Sequence, residues 1–346
     1  MSGNSHSYRP VIYGFQGLAV TDEEAAFFRE ARPWGLILFA RNIESREQLV
    51  ALTNSLREQS GNPNLPILID QEGGRVARVK PPLAPLYPPM GAYGEIYQQD
   101  AARGLEAARL GAALLAQDLH QLGINITCAP CLDLRLEGMS DAIGDRAFGE
   151  DVETIIALGR AATEGLVMGG VLPVVKHMPG HGRATVDSHF ELPLVDADIG
   201  TLQATDFEIF RQLNHAPLGM TGHLRFNAVD AAAPSTLSKT LIDSVIRDYI
   251  GFDGVLMSDD ISMQALSGDL GQLSEKALAA GCDLILHCNG RANEMQAVHA
   301  IMPDKPVAAT QQRLNRAEAA LAALTCTVPA DARKVWGELM GDAAVL

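Results

Sequence analysis

A chain of 346 residues with 47% hydrophobic and 20% charged side chains can bury a large core, and it carries too few charges for extended disorder. Its net charge of -15 opposes a polyphosphate backbone, and no basic stripe with interleaved aromatics overrides that, so nucleic acid is excluded as a partner. The start, Met1 to Pro10, lacks an apolar core of signal-peptide length and no later apolar run would span a bilayer, so a cytosolic chain with no membrane partner is expected.

In chain order, short apolar segments read as strands at Val11 to Gly17, Gly35 to Phe39, Pro66 to Ile69, Ile124 to Ala129, Val171 to Val175, Leu218 to Thr221, Gly254 to Met257 and Asp283 to Leu286. Between them, amphipathic stretches predict helices over Asp22 to Ala31, Ser45 to Gln59, Ala101 to Leu122, Asp151 to Met168, Gly200 to Leu213, Ser238 to Tyr249 and Leu273 to Ala280, with a final helix over Val307 to Leu324. Eight β-α units without a hydrophilic linker predict an α/β fold of (β/α)8 TIM-barrel type, one domain over residues 1–346. Residues 1–10 are expected to be a flexible N-terminus, and about 326–346 a C-terminal tail. An open doubly wound sheet is the rival, but no G-x-G-x-x-G follows the first strand and no P-loop occurs.

The strands end in charge. Asp70-Gln71-Glu72-Gly73-Gly74-Arg75 follows the third, Asp133 lies past the fourth, Lys176-His177 ends the fifth, His223 the sixth, and Ser258-Asp259-Asp260 the seventh. Barrel active sites lie at this C-terminal face, so these groups are expected at one mouth. The densest run, Lys176 to His189, holds His177, His181 and His189 with Lys176, Arg183 and Asp187, shaped by Pro179, Gly180 and Gly182.

A strand-end carboxylate kept ionised by nearby cations suits attack on an electrophilic carbon, which makes Asp259 a candidate nucleophile. Spacing alone leaves open that Asp259 or Asp260 instead caps a following helix. Asp187 and His189 are one residue apart, so the carboxylate can orient the imidazole for general acid/base work, or the two can form a loop ion pair of no catalytic interest. Four histidines, His177, His181, His189 and His223, also raise a metal-dependent hydrolase. However, no H-x-H ends the first strand, no H-E-x-x-H occurs, and Lys176 beside His177 would repel a cation. Five cysteines, Cys128, Cys131, Cys282, Cys288 and Cys326, fit a reducing compartment, and the single C-x-x-C at Cys128 and Cys131 has no second pair for zinc. Neither metal nor cofactor is expected.

The blocks Asp70 to Val76, Gly144 to Gly149, Lys176-His177 through Gly180-His181-Gly182 to Asp187-Ser188-His189, and Gly254 to Asp260 resemble the bacterial β-N-acetylglucosaminidases of glycoside hydrolase family 3, in their single-barrel, cell-wall-recycling form. The resemblance runs from about residue 11 to 290. It implies Asp259 as nucleophile, His189 as general acid/base with Asp187 as its partner, and sugar binding by Asp70, Arg78, Arg146, Lys176 and His177. It further implies retaining removal of terminal β-linked N-acetylglucosamine from muropeptides ending in 1,6-anhydro-N-acetylmuramic acid, by a protein that is monomeric or weakly homo-oligomeric. Ala147, Met178 and the Arg183-Ala184-Thr185-Val186 segment depart from the common pattern and bear on aglycone preference. Two alternatives are a phosphorylase on the same framework and a non-catalytic sugar-binding barrel.

Overall fold

The structure is a computed structural model, and it describes residues 8–188 and 190–344, so His189 lies outside the described residues. Among these, parallel strands close into a barrel: β1 (Arg9–Tyr13), β2 (Pro33–Leu38), β3 (Ile67–Ile69), β4 (Ile126–Thr127), β5 (Leu172–Met178), β6 (Leu218–Thr221), β7 (Val255–Asp260) and β8 (Leu284–His287). Each pairs with its sequence neighbours, and β8 returns to β1 with Val11 opposite Ile285. The eight apolar segments read from the sequence all contribute a strand to this barrel.

Period-two alternation divides each strand between two apolar layers. Ile12, Ile37, Leu68, Val174, Met257 and Leu286 belong to the cluster filling the barrel. Val11, Leu36, Ile67, Val175, Leu256 and Ile285, one position away, belong to the cluster under the surrounding helices. Both layers are buried, which is why the strands read as continuous apolar runs.

The helices start where the sequence supplies caps. Thr21 forms a capping box with Glu24 ahead of Asp22–Ala31, and Ser45, Asp100 and Asp151 cap Arg46–Ser60, Ala101–His120 and Val152–Met168. The helix expected over Gly200 to Leu213 is instead two, Ile199–Ala204 and Asp206–Gln212, because the backbone breaks at Thr205. The segment expected as one helix from Ser238 begins as Lys239–Leu241 and continues in wider π-helical turns over Ile242–Tyr249. Met90–Gln99 and Ala292–Ile301 are further helices that the strand-helix alternation did not single out.

Regular structure reaches close to both ends of the described range. Residues 1–7 of the anticipated flexible N-terminus lie outside the described residues, but Arg9 already starts β1 and binds the Asp304 carboxylate at 2.7 Å. The stretch read as a tail contains the helix Ala332–Met340, whose buried Ala332, Trp336 and Met340 recur every four residues and pack its stripe on Ala101–His120. No described helix is long and apolar enough to cross a membrane.

Candidate active site

The same alternation that fills the barrel aims the site. Counting on from Leu68, Met257 and Val174, the next inward positions are Asp70, Asp259 and Lys176, and on β2 and β8 they are Phe39 and Cys288. All five line one cavity of about 180 Å³ at the C-terminal mouth, with Glu72, Arg78, Arg146, His177, His181, Asp187 and Met220. Of the residues singled out in the sequence, Asp259, Asp187, Asp70, Arg78, Arg146, Lys176 and His177 are thus brought together. A larger cleft of about 490 Å³ near the start of β2, lined by residues such as Tyr8, Phe28, Arg32 and Trp34, has no carboxylate, imidazole or thiol in its wall and so offers no acid/base chemistry.

Asp259 is partly exposed to this cavity and accepts a 2.8 Å hydrogen bond from the Asp260 N–H. Burial pushes its carboxyl up, but the His223 and His177 imidazoles, that N–H and Lys176 outweigh burial and hold it below its ordinary value. It is therefore an ionised carboxylate at neutral pH. Asp260 has a different job: its carboxylate accepts from Ser262 N at 3.1 Å, from Ser262 Oγ at 2.9 Å and from Cys288 N at 3.2 Å, bracing the turn after β7. Neither aspartate caps a helix, since the next one starts at Leu270 and is capped by Asp269.

On the opposite wall, Lys176 Nζ lies 2.7 Å from Glu72 Oε1 and donates to Asp70 Oδ1 at 3.1 Å, while Arg146 grips both Glu72 oxygens at 2.8 and 2.9 Å. Burial alone would raise the Glu72 carboxyl and lower the Lys176 ammonium, yet the opposite charges dominate and both stay ionised, Glu72 far below and Lys176 far above the ordinary value. Arg78 Nη2 is 3.5 Å from Asp70 Oδ2, and its guanidinium lies 5.8 Å from the Phe39 ring centroid. The Arg78 main chain is pinned by Gln71, whose side-chain oxygen accepts from Arg78 N at 2.7 Å and Val79 N at 3.0 Å. The intervening turn needs Gly73 and Gly74, both at positive φ; a Cβ on Gly73 would meet Pro88 O at 2.3 Å.

Asp133 is fully buried and organises the β5 loop. Its carboxylate accepts from His177 Nδ1 at 2.6 Å and from His181 N at 2.6 Å. Burial would raise its pKa, but the His177 and His181 contacts bring it down to about 2. An ionised Asp133 fixes the His177 tautomer with Nδ1–H donating, which leaves Nε2 for the cavity. His181 Nε2 lies 3.0 Å from Ser188 Oγ, and burial together with His177 lowers its pKa to about 4, so the ring is neutral. Gly182 has no room for a side chain, because a Cβ would meet Leu134 O at 2.2 Å. Arg183 ties the loop outward, donating to Asp206 at 2.6 Å.

Some expectations need adjusting. His223 does not reach the cavity wall; it is buried behind Asp259 with one ring nitrogen on Thr236 Oγ1 at 2.7 Å and the other on Asp260 O at 3.0 Å. Asp133 supports His177 instead of facing the cavity. Cys131, Asp133 and His177 lie close enough together to share an ion, but they are already hydrogen-bonded to one another. Glu72 was given no role of its own from the sequence, and Asp133 and His181 were placed near the mouth without the supporting role the structure shows. Parity was the available signal for Glu72, two positions past Asp70, whereas nothing in the spacing tells a supporting carboxylate from a substrate-facing one.

The comparisons with known proteins point to one family. Residues 13–322 match the glycosyl hydrolase family 3 N terminal domain. A β-hexosaminidase of Chromobacterium violaceum is 38% identical over 311 residues, which span 89% of this chain and 86% of that protein. Among solved structures, NagZ from Neisseria gonorrhoeae in complex with N-trifluoroacetyl-D-glucosamine superposes with a TM-score of 0.86 at 29% identity, covering 97% of this chain and 98% of that one. A family 3 β-N-acetylglucosaminidase from Paenibacillus gives a TM-score of 0.85 at 29% identity, covering 98% of this chain and 68% of that one. The chain therefore belongs to glycosyl hydrolase family 3, among its single-domain bacterial β-hexosaminidase members, and is a glycoside hydrolase.

Proposed function

We propose that the chain is a retaining exo-β-N-acetylglucosaminidase with Asp259 as nucleophile and His189 as general acid/base, oriented by Asp187. The observation that carries this reading is Asp259 itself: an ionised carboxylate at an inward strand end, facing a cavity whose other wall is cationic. An Asp259 oxygen attacks the anomeric carbon while His189 gives its proton to the departing glycosidic oxygen, leaving a glycosyl ester on Asp259. Water then attacks the same carbon with His189 taking its proton, the Asp259–sugar bond breaks, and two inversions retain the configuration. Asp187 stabilises the imidazolium formed in the second step.

Asp70, Arg78, Arg146, Lys176 and His177 grip the sugar hydroxyls. The barrel interior closes the cavity below, and its volume of about 180 Å³ suits one terminal sugar, in keeping with exo action. The substrate we propose is the N-acetylglucosaminyl unit of muropeptides ending in 1,6-anhydro-N-acetylmuramic acid, processed in the cytosol during peptidoglycan recycling. The N-acyl glucosamine held by the Neisseria gonorrhoeae relative supports the sugar class.

Chromogenic β-glycosides that differ only at the 2-position test the reading: the 2-acetamido substrate is expected to be cleaved far faster than the 2-hydroxy one, and no turnover of either would overturn it. Product analysis with and without phosphate separates hydrolysis from phosphorolysis. A 2-deoxy-2-fluoro glycoside is expected to label Asp259, and a label on any other residue would refute the nucleophile.

A further inference from the structure

We infer that Glu72 is a positioning residue of this site, whose carboxylate orients the Lys176 ammonium and the Arg146 guanidinium toward the sugar. The inference rests on the proposed role of those two cations in sugar binding.

Glu72 has almost no capacity left for a ligand. Oε1 bridges Arg146 Nη2 at 2.8 Å and Lys176 Nζ at 2.7 Å, and Oε2 accepts from Arg146 Nε at 2.9 Å. Its side chain is 1% exposed, against 3% for Lys176 and 12% for Arg146. The carboxylate therefore acts behind the cations. A lysine ammonium carries three N–H donors on a flexible stem. In Lys176 one of them goes to Asp70 at 3.1 Å, while the Glu72 carboxylate 2.7 Å from Nζ holds the ammonium from a second side, and together they restrict where the remaining donors point. Arg146 is fixed in the same way, with its fork on Glu72 and Nη1 donating to Ala142 O at 3.0 Å. Ala142 itself lines the cavity, so one carboxylate sets both cations and, through Arg146, the β4 loop.

Without Glu72, Lys176 keeps only Asp70 and regains rotamer freedom, while Arg146 loses its fork partner. The E72Q variant keeps the shape and removes the charge. Its kcat/KM on an aryl N-acetylglucosaminide is expected to fall roughly 100-fold, the scale of an ångström-sized misplacement of binding groups. The defect should also appear in binding, because both cations meet the sugar before any bond changes: the inhibition constant of free N-acetylglucosamine is expected to rise about tenfold.

A residue that only stabilised the fold would lower Tm and leave the inhibition constant of the folded enzyme in place. Wild-type kcat/KM, or an unchanged inhibition constant, in folded E72Q would therefore overturn the inference. If the orphaned cations keep E72Q from folding, E72D decides: it keeps the charge but withdraws it by one methylene, and kcat/KM is expected to fall about tenfold. Wild-type kinetics in E72D would overturn the inference. Failure of the underlying assignment looks different, since the wild-type protein would then cleave no N-acetylglucosaminide at all.

Discussion

The two ends of the barrel each hold a buried carboxylate between two cations, and only one of the two stands in the proposed active site. At the N-terminal end, Asp283 pairs with Arg247 at 2.7 Å and Arg313 at 3.1 Å, and also accepts from Thr310 Oγ1 at 2.5 Å and Leu256 N at 3.0 Å. Every partner is protein, and three elements are fastened together: the π-helical segment Ile242–Tyr249, β7 and the last barrel helix. At the C-terminal end, Glu72 also satisfies itself on two cations, but Lys176, Arg146 and the neighbouring Asp70 all face a cavity. The same ion-pair chemistry fastens elements together at one end, where Arg313 only borders an open cleft, and lines the proposed sugar site at the other.

The sharpest way to break this comparison is at the nucleophile. Asp259→Asn keeps the shape but removes the nucleophilic oxygen charge, so turnover is expected to vanish while the unfolding temperature stays near that of the wild type; residual wild-type activity would exclude Asp259. Asp260→Asn should lose only part of the activity, together with some stability, because Asp260 braces Ser262 and Cys288.

Next in size is His189→Ala. On a disaccharide with a poor leaving group, activity is expected to fall by about two to four powers of ten, the usual range for general acid/base catalysis. Glycosylation by an activated aryl glycoside should suffer much less, and azide should restore turnover. Equal losses on both substrates without azide rescue would make His189 a binding residue.

At the other end of the barrel, Asp283→Asn leaves Arg247 and Arg313 without their shared charge. Breaking a buried pair from one side costs about 3–5 kcal/mol, so chemical denaturation should show a loss of that order with kcat/KM of the folded enzyme unchanged. A kinetic defect without a stability defect would erase the distinction between the two ends.

The smallest effect expected is a pH dependence from His181. Its folded pKa is lowered from 6.5 to about 4, so the unfolded chain takes up this proton first as pH falls. That ring contributes no penalty above about 6.5 and progressively destabilises the fold between there and about 4. His181→Gln, which cannot protonate, should flatten the stability profile across that window; an unchanged profile would show that the ring does not titrate so low.

Strand positions were legible because a barrel strand is buried on both faces, and an uninterrupted apolar run between turn signals is a strong local signal. Helix breaks were not. Thr205 interrupts a good amphipathic pattern while the adjacent Asp206 is held by Arg183 of the β5 loop, a contact between distant residues that no local period reveals. The helix at Ala332 was missed because its stripe of three apolar side chains acquires meaning only against Ala101–His120.

For the site, the sequence by itself determined which chemistry is available: the residue types at the strand ends and the inward parity of Asp70, Lys176 and Asp259 are properties of the chain, since side chains alternate along any strand. Only the tertiary structure decided which charged group faces the cavity and which stands behind it. Asp133 and His223 have the same kind of side chain as their cavity-facing neighbours, and burial with hydrogen-bonding partners from other elements sets them behind the groups that line the cavity. That separation depends on desolvation and on contacts across about a hundred residues of chain, such as Lys176 with Asp70, which exist only once the barrel has closed.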